Sequence, residues 1–210
     1  MSGCLLELHY FPSIQYMSKF LMHDPVVVEA HENYQKGSYR NRTHIIGANG
    51  PERLSIPLRS GKHQQKPIQE VEIAYDEAWD LVHWRAINTA YGSSPYFEHY
   101  RDEIEGLIMG KPTYAFAFNI GILGWLIQTI GLRKYELSQS FEQVPLDKLD
   151  LRNTIRPKNP LDDNNFRPAP YFQVFDDRQP FEPNLSILDL LFAFGPETKS
   201  HLRKCLILGC

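Results

Sequence analysis

The sequence predicts an α/β fold, and three features of the chain support this prediction. Leu5 to Phe11 has the pattern of a strand, Ser13 to His23 that of a helix, and Val26 to Val28 that of a short buried strand. The chain therefore starts with a strand–helix–strand unit. The Asn49-Gly50 pair then marks a β-hairpin, and helix patterns occupy most of residues 77–130. We expect a mixed sheet followed by a mainly helical layer.

The hairpin is expected to join a strand at Thr43 to Ala48 with a strand at Leu54 to Leu58. Ser60 to Lys66 is polar and basic, which is typical of a loop. The apolar residues Ile68, Val71 and Ile73 indicate a further strand. Residues 1–75 thus form the α/β part of the predicted domain.

The helical layer, residues 76–132, is predicted from three consecutive patterns. Asp76 is a suitable cap for a helix from Glu77 to about Tyr91. The second helix is expected from Pro95 to Met109 and the third from Thr113 to Ile130. Apolar residues on nearly every side of the third pattern are typical of a central, buried helix.

Frequent prolines between Glu136 and Pro183 predict irregular chain, either an arm that wraps the core or a mobile loop, in which Tyr171 to Phe175 could add an edge strand. Ser186 to Phe194 follows as a short helix that stops at Gly195-Pro196. We therefore expect a single domain over residues 1–200, with the arm and short helix at 133–200 and a tail at 201–210.

Composition excludes several classes of protein. The chain has 210 residues and a formal charge of −3, so no general basic field for nucleic acid exists. The three cysteines, Cys4, Cys205 and Cys210, show no metal-binding spacing and are typical of a reducing cytoplasm. The start of the chain lacks the pattern of a signal peptide, and the apolar stretch Tyr114 to Leu132 favours a core helix over a membrane span. We expect a cytoplasmic protein without a metal site.

The strongest candidate for chemistry is a basic segment after the second strand, where open α/β sheets bind ligands. Lys36, Arg40 and Arg42 place three cations within a short stretch. If Tyr39 to Thr43 is extended, the two arginines project to one face and match phosphate or carboxylate oxygens. Tyr34 and Asn41 would orient a sugar or base. The alternatives are a solvated turn, or arginines that form structural ion pairs; for the latter the nearest acids are Glu7, Glu29 and Glu32.

Histidines and aromatic residues supply the remaining candidates. His31 and His83 are the expected acid–base residues, because a histidine titrates near neutral pH. Tyr96 belongs to an aromatic group at a helix junction that forms either core or a pocket wall. The segment from His9 to Gln15 joins the first strand to the first helix, and a helix start offers free N–H groups to an anion. We expect these groups to converge with Arg40 and Arg42.

An ordered set of short motifs resembles the WbqC-like protein family, in its Bacteroidetes-type branch, over roughly residues 5 to 200. The motifs are Pro12-Ser13-Ile14-Gln15-Tyr16-Met17-Ser18-Lys19, His31-Glu32-Asn33-Tyr34, Tyr39-Arg40-Asn41-Arg42, Ala48-Asn49-Gly50, Leu54-Ser55-Ile56-Pro57, His83-Trp84, Ser93-Ser94-Pro95-Tyr96-Phe97, Phe118-Asn119 and Pro183-Asn184-Leu185-Ser186 with the apolar run that follows.

The resemblance implies a bacterial, cytoplasmic protein of O-antigen, capsule or other surface-polysaccharide biosynthesis that handles an activated, anionic sugar precursor. It supplies no catalytic residue. With the candidates above, it leads to the hypothesis of a transferase whose partner is an anionic small molecule, either a nucleotide-linked sugar or an acyl donor. The alternative is a non-catalytic binding or scaffolding subunit of a biosynthetic complex. The sequence identifies neither a cofactor nor an oligomeric state.

Overall fold

The structure, a computed structural model, describes residues 3–59, 66–143, 147–158 and 160–207. Most of the expected loop from Ser60 to Lys66 lies outside these residues. The predicted mixed α/β fold is confirmed, because the chain forms a four-stranded parallel sheet, a separate antiparallel hairpin and a set of helices.

The parallel sheet is built around the predicted strand–helix–strand unit. Strand β1 (Gly3–Leu6), helix α1 (Ile14–Met22) and strand β2 (Val26–Val28) follow one another, and Ser13 caps the helix by accepting from the Tyr16 N–H. Two later strands complete the sheet in the order β5-β2-β1-β6. All pairs are parallel, so the carboxyl ends of the four strands lie along one edge.

The first strand is shorter than predicted. It ends at Leu6 instead of Phe11. After it the chain leaves the sheet, because the Tyr10 N–H bonds to the Tyr39 carbonyl and Phe11 has a left-handed φ of 37°. This early end places polar residues directly after β1.

The proline-rich stretch contributes two strands that the sequence does not predict. They are β5 (Glu136–Leu137) and β6 (Lys148–Asp150), which are too short and too polar to carry a strand pattern. The expected edge strand at Tyr171 to Phe175 is wrong, because the residues from Val174 onward form a turn.

The predicted hairpin is confirmed as β3 (Arg42–Gly47) and β4 (Gly50–Ser55), but β4 begins directly after the turn and ends before most of the strand expected at Leu54 to Leu58. Its partners pair from Arg42 with Ser55 to Gly47 with Gly50. Two local expectations are wrong. Tyr39–Asn41 forms a 3-10 turn rather than extended chain, and Ile68–Glu70 forms a second 3-10 turn where a strand was expected.

Three helices form the layer beside the hairpin: α2 (Trp79–Tyr91), α3 (Phe97–Met109) and α4 (Ala115–Ile130). Helix α2 starts later than predicted, with Ala78 instead of Asp76 at its cap position. Gly131 adopts a left-handed φ of 69° and ends α4, as a glycine can without steric cost.

The final elements pack on the first ones. Helix α5 (Ile187–Phe194) begins after Ser186, whose N–H donates to the His44 carbonyl of β3. A last helix, α6 (Thr198–Lys204), was not predicted, and its Leu202 is fully buried.

Candidate functional site

The carboxyl edge of the parallel sheet carries a polar group after every strand. Glu7 follows β1, Glu29 follows β2, Ser138 follows β5, and Arg152 lies two residues beyond β6. These groups bind one another. Glu29 Oε1 accepts from the Ser138 hydroxyl at 2.6 Å, and its Oε2 lies 2.9 Å from Arg152 Nη1. The Asn153 N–H donates to Glu7 Oε2 at 3.0 Å.

Next to this edge lies a buried charged group that we call the edge cluster, formed by Glu7, His9, Glu32 and Arg40. Each side chain is at most 4% exposed. Arg40 donates from Nε to Glu32 Oε1 at 2.7 Å and from Nη2 to Oε2 at 2.5 Å. Its Nη1 lies 3.9 Å from Glu7 Oε1, which is also 3.2 Å from His9 Nε2.

Protonation in the edge cluster follows from burial and from the neighbouring charges. Burial raises the pKa of Glu32, and its bonds from Arg40 only partly oppose this. Burial also opposes the charge of Glu7, but His9 and Arg40 outweigh it and lower the pKa of Glu7. Burial lowers the pKa of His9, against the attraction of Glu7. His9 and Arg40 therefore favour the ionised form of Glu7, whereas burial favours the neutral form of His9.

The edge cluster contains unsatisfied atoms. His9 Nδ1, Arg40 Nη1 and the Tyr16 hydroxyl are buried and have no hydrogen-bond partner among the described residues, and the contact of His9 Nε2 with Glu7 Oε1 at 3.2 Å lacks good hydrogen-bond geometry. Buried polar groups are nearly always hydrogen-bonded, so such a concentration marks either internal water or a functional centre.

A second group lies on the outward face of the hairpin, and we call it the hairpin cluster: Arg42, His44, Arg53 and Ser55. Arg42 stands opposite Ser55 and His44 opposite Arg53 in the β3–β4 register. Directly paired residues, and residues two apart on one strand, share a face of a sheet. All four side chains therefore project to the same side.

The hairpin cluster has unbalanced positive charge. Within the described ranges, neither Arg42 nor Arg53 has a carboxylate at ion-pair distance. Burial and the neighbouring Arg53 lower the pKa of Arg42. Burial, Arg42 and Arg53 together lower the pKa of His44. Arg42 Nε and the Ser55 hydroxyl oxygen are also buried without a hydrogen-bond partner in the described part of the chain.

Two tyrosines connect the clusters. The rings of Tyr39 and His9 are centred 5.2 Å apart, and the Tyr39 hydroxyl lies 3.4 Å from His44 Nδ1. Tyr34 is buried, which raises its pKa, while the charges of Arg42 and Arg40 oppose that rise. Tyr34 and Tyr39 therefore lie close to the cationic face.

Of the residues that the sequence singled out, the structure brings Tyr34, Arg40, Asn41 and Arg42 into this region. The two arginines were expected to project to one face and bind an anion together. Arg40 is instead buried and paired with Glu32, whereas Arg42 is partly exposed. The 3-10 turn at Tyr39–Asn41 causes this split, since it turns the two side chains apart. Asn41 donates to the Ile56 carbonyl at 2.9 Å and so holds the end of β4 in place.

His83 lies in helix α2 near the main chain of Ser55. Its Nδ1 is 3.0 Å from the Tyr10 hydroxyl, and its ring contacts Trp79. Burial lowers the pKa of His83 to about 4, so the ring is neutral at neutral pH.

The other predicted residues lie apart from one another. His31 and Lys36 are exposed on the loop after β2, and the His31 N–H donates to Glu29 Oε1. Tyr96 lies at the start of α3, where it packs against Gly195.

The start of α1 does not supply free N–H groups, contrary to the expectation. The Ile14 N–H donates to the Leu185 carbonyl and the Gln15 N–H to Asn184 Oδ1. The Tyr16 N–H donates to the Ser13 hydroxyl. The segment after Pro183 therefore occupies the helix end that an anion would have used.

A groove of about 270 Å³ lies against the outer face of the parallel sheet and reaches its carboxyl edge. Leu5 and Val27 form its apolar floor. Polar groups form its rim: Glu29, Glu136, Ser138, Gln139, Ser140, Glu142 and Lys148. Two of these rim groups, Glu29 and Ser138, already bind each other, and Glu29 also pairs with Arg152.

Sequence reasoning missed His44, Arg53 and Ser55 as members of the site. The Asn49-Gly50 pair signals the hairpin but not its register, because the turn is formed by Ala48 and Asn49, and Gly50 already pairs with Gly47. The role of His9 had no such signal, since it depends on where β1 ends.

In the described ranges no helix has the length and apolar content needed to cross a bilayer. Within the same ranges, no three His, Cys, Asp or Glu side chains are arranged to hold a metal ion.

Comparisons with known proteins place the chain in a family. Residues 8–156 match the WbqC-like protein family. The uncharacterized protein Rv1507c of Mycobacterium tuberculosis (strain ATCC 25618 / H37Rv) is 25% identical over 231 aligned positions, which cover 93% of this chain and 92% of that protein. No solved structure matches the chain. Because the family match covers well over half of the sequence, the chain belongs to the WbqC-like protein family.

Proposed function

We propose that the protein is a transferase of surface-polysaccharide precursor biosynthesis that acts on an activated, anionic sugar in the cytoplasm. The observation that carries this proposal is the hairpin cluster. It offers two arginines without carboxylate partners, and buried donors at Arg42 Nε and the Ser55 hydroxyl. Planar guanidinium groups bind phosphate and carboxylate oxygens in a two-pronged manner, so an anion would satisfy these donors.

The anion is held by Arg42 and Arg53 in this proposal. Tyr34 lies near Arg42, and in this proposal the small exposed part of its ring contacts the sugar or base. Lys36 is exposed on the preceding loop and adds positive charge that attracts an anionic substrate. Arg40 acts as a positioning residue, since its pairing with Glu32 fixes the chain just before Arg42. Asn41 has the same role through β4.

A transfer reaction also needs a group that accepts a proton. The acceptor's oxygen or nitrogen bonds to the transferred group while the bond to the leaving group breaks and its electron pair departs with that group. The acceptor's proton then passes to a base. His44 lies on the anion-binding face, and its lowered pKa keeps its ring neutral at neutral pH. His31 and His83 stay predictions for this role; His31 is exposed, whereas His83 is buried beneath β4.

The proposal is tested by a thermal-shift screen against nucleotide sugars, acyl-CoA and aminoacyl donors, followed by mass spectrometry of products. A ligand at a hundredfold excess over its Kd stabilises the fold by about 2.7 kcal/mol, which raises the Tm by several degrees. Arg42→Ala should abolish the shift. Arg59→Ala is the matched control, because Arg59 is exposed and pairs with Glu72 away from the cluster.

The outcomes separate the two hypotheses. A shift that requires Arg42, together with a new product, supports the transferase. A shift that requires Arg42 without turnover of any donor and acceptor pair supports the alternative of a non-catalytic binding or scaffolding subunit. No shift with any anionic compound, or the same shift in the Arg42→Ala variant, refutes the anion site.

A further inference from the structure

A small cavity lies outside the residues used above. Its volume is about 140 Å³, it is partly open to solvent, and it is lined by the α2–α3 junction, helix α5 and the segment at residues 172–174. Its walls include Ser94, Pro95, Phe172, Val174, Asp189 and Ala193. Two of these residues carry polar atoms that are not satisfied by the protein.

Asp189 supplies the first unsatisfied atom. The residue is 3% exposed. Its Oδ2 accepts hydrogen bonds from the Tyr171 hydroxyl and, at 2.9 Å, from Gln173 Nε2. The Tyr91 hydroxyl also lies within hydrogen-bonding reach of the carboxyl group, but Oδ1 has no partner of good hydrogen-bond geometry among the residues that the structure describes. One half of a buried carboxyl group is thus fully used, and the other half is not.

The charge of Asp189 is also unbalanced. In the described part of the chain, no lysine, arginine or histidine lies at ion-pair distance from it. Burial raises the pKa of Asp189, which Tyr171, Gln173 and Tyr91 partly oppose and Asp176 reinforces. Its place in the first turn of α5 supplies only a partial positive charge. The ionised form of Asp189 is therefore costly on its own, and a cation bound beside it would favour that form.

Ser94 supplies the second unsatisfied atom. Its hydroxyl oxygen is buried and has no partner in the described ranges. The apolar part of the wall is formed by Pro95, Phe172, Val174 and Ala193, and Ser93 and Gln173 complete the lining. At roughly 30 Å³ for each water-sized group, the cavity holds about four or five non-hydrogen atoms.

We infer that this cavity binds a primary ammonium group on a short apolar chain. The N–H groups of such a ligand donate to Asp189 Oδ1 and to the Ser94 hydroxyl, and its carbon atoms lie against Pro95, Phe172 and Val174. A single carboxylate with one hydroxyl does not supply the ligand set of a divalent cation. This site is independent of the proposed transferase function, because it shares no residue with the hairpin cluster.

The test is an NMR titration of the ¹⁵N-labelled protein with n-propylammonium chloride, with sodium chloride at equal ionic strength and 1-propanol as references. Saturable shifts are expected at the amides of Ser94, Gln173 and Ala193 with the amine. A charge-assisted hydrogen bond contributes about 1.5–3 kcal/mol, so Asp189→Asn should weaken binding about tenfold or more. Asp177→Asn is the matched control, since Asp177 is exposed and pairs with Arg178.

A second variant covers the case in which Asp189→Asn does not fold. Ala193→Leu fills the cavity from its wall and leaves the carboxylate in place, so it should abolish the amine-dependent shifts. The inference is overturned if 1-propanol produces the same shifts as the amine, if no saturable shifts occur, or if either folded variant binds n-propylammonium as tightly as the unaltered protein.

Discussion

Replacing Arg40 with methionine tests the buried edge cluster most severely. The arginine side chain is 1% exposed and makes two hydrogen bonds to Glu32, while its third nitrogen lies 3.9 Å from Glu7. Methionine fills most of the volume but leaves Glu32 and Glu7 as buried acids without a cation. Breaking a buried pair in this way costs about 3–5 kcal/mol. For a chain of this size each kcal/mol corresponds to about 2–4 °C, so the Tm should fall by roughly 6–20 °C.

Thermal unfolding followed by circular dichroism measures this change, with urea unfolding for the free energy. Arg53→Met is the matched control, because Arg53 is exposed on the hairpin and its loss should change stability by less than about 0.5 kcal/mol. The double variant Arg40→Met with Glu32→Leu should recover part of the loss, since it removes the stranded charge as well. A loss below about 1 kcal/mol for Arg40→Met alone would refute the reasoning that this pair is a buried structural link.

Three further predictions concern other parts of the fold. The pKa of His83 is about 4 in the folded protein and 6.5 in the unfolded chain, so between these pH values only the unfolded chain binds a proton at His83. The free energy of unfolding should therefore fall by about 3 kcal/mol as the pH drops from 6.5 to 4. Urea unfolding of His83→Gln should lack this part of the pH dependence. Gly195→Ala should destabilise the fold by more than about 1 kcal/mol, because Gly195 has a φ of +50° and a Cβ there would clash with the ring of Tyr96. Gly106→Ala, with open space inside α3, should be neutral or stabilising, and equal Tm values for the two variants would contradict this prediction. Deleting residues 184–210 should lower the Tm by several degrees, because Ile187, Leu188, Leu190 and Leu191 of α5 are buried, and an unchanged Tm would show that the helix is not needed.

The sequence predicts best those elements whose pattern is local. The helix α1, the hairpin and the helices α2 to α4 each have several turns or pairs of residues with a consistent period, and all form near the predicted places. Strands β5 and β6 were missed because two or three polar residues carry no period. They form because the open edges of β2 and β1 offer main-chain hydrogen-bonding groups to segments that are distant in the sequence. Such tertiary pairing cannot be predicted from the residues of these short segments alone.

The site was predicted in part for the same reason. The arginines at 40 and 42 are visible as a basic pattern, but their separation depends on a 3-10 turn that the composition of Tyr39–Asn41 does not reveal. Glu32 lies only eight residues before Arg40, but their pairing depends on the path of the loop between them. It matches the alternative of a structural ion pair. The N–H groups at the start of α1 are bound by Asn184 and Leu185, and Asn184 is 169 residues from its partner Gln15. No local pattern could predict these contacts.

The central claim is that the outward face of the hairpin binds an anionic group. Isothermal titration calorimetry with inorganic pyrophosphate, at low and at moderate salt, measures this on the unaltered protein and on Arg42→Ala and Ser55→Ala. The account predicts saturable binding that weakens with salt, about ten- to a hundredfold weaker binding for Arg42→Ala, and a smaller loss for Ser55→Ala. Absence of binding to the unaltered protein, or equal Kd values for all three proteins, would contradict it.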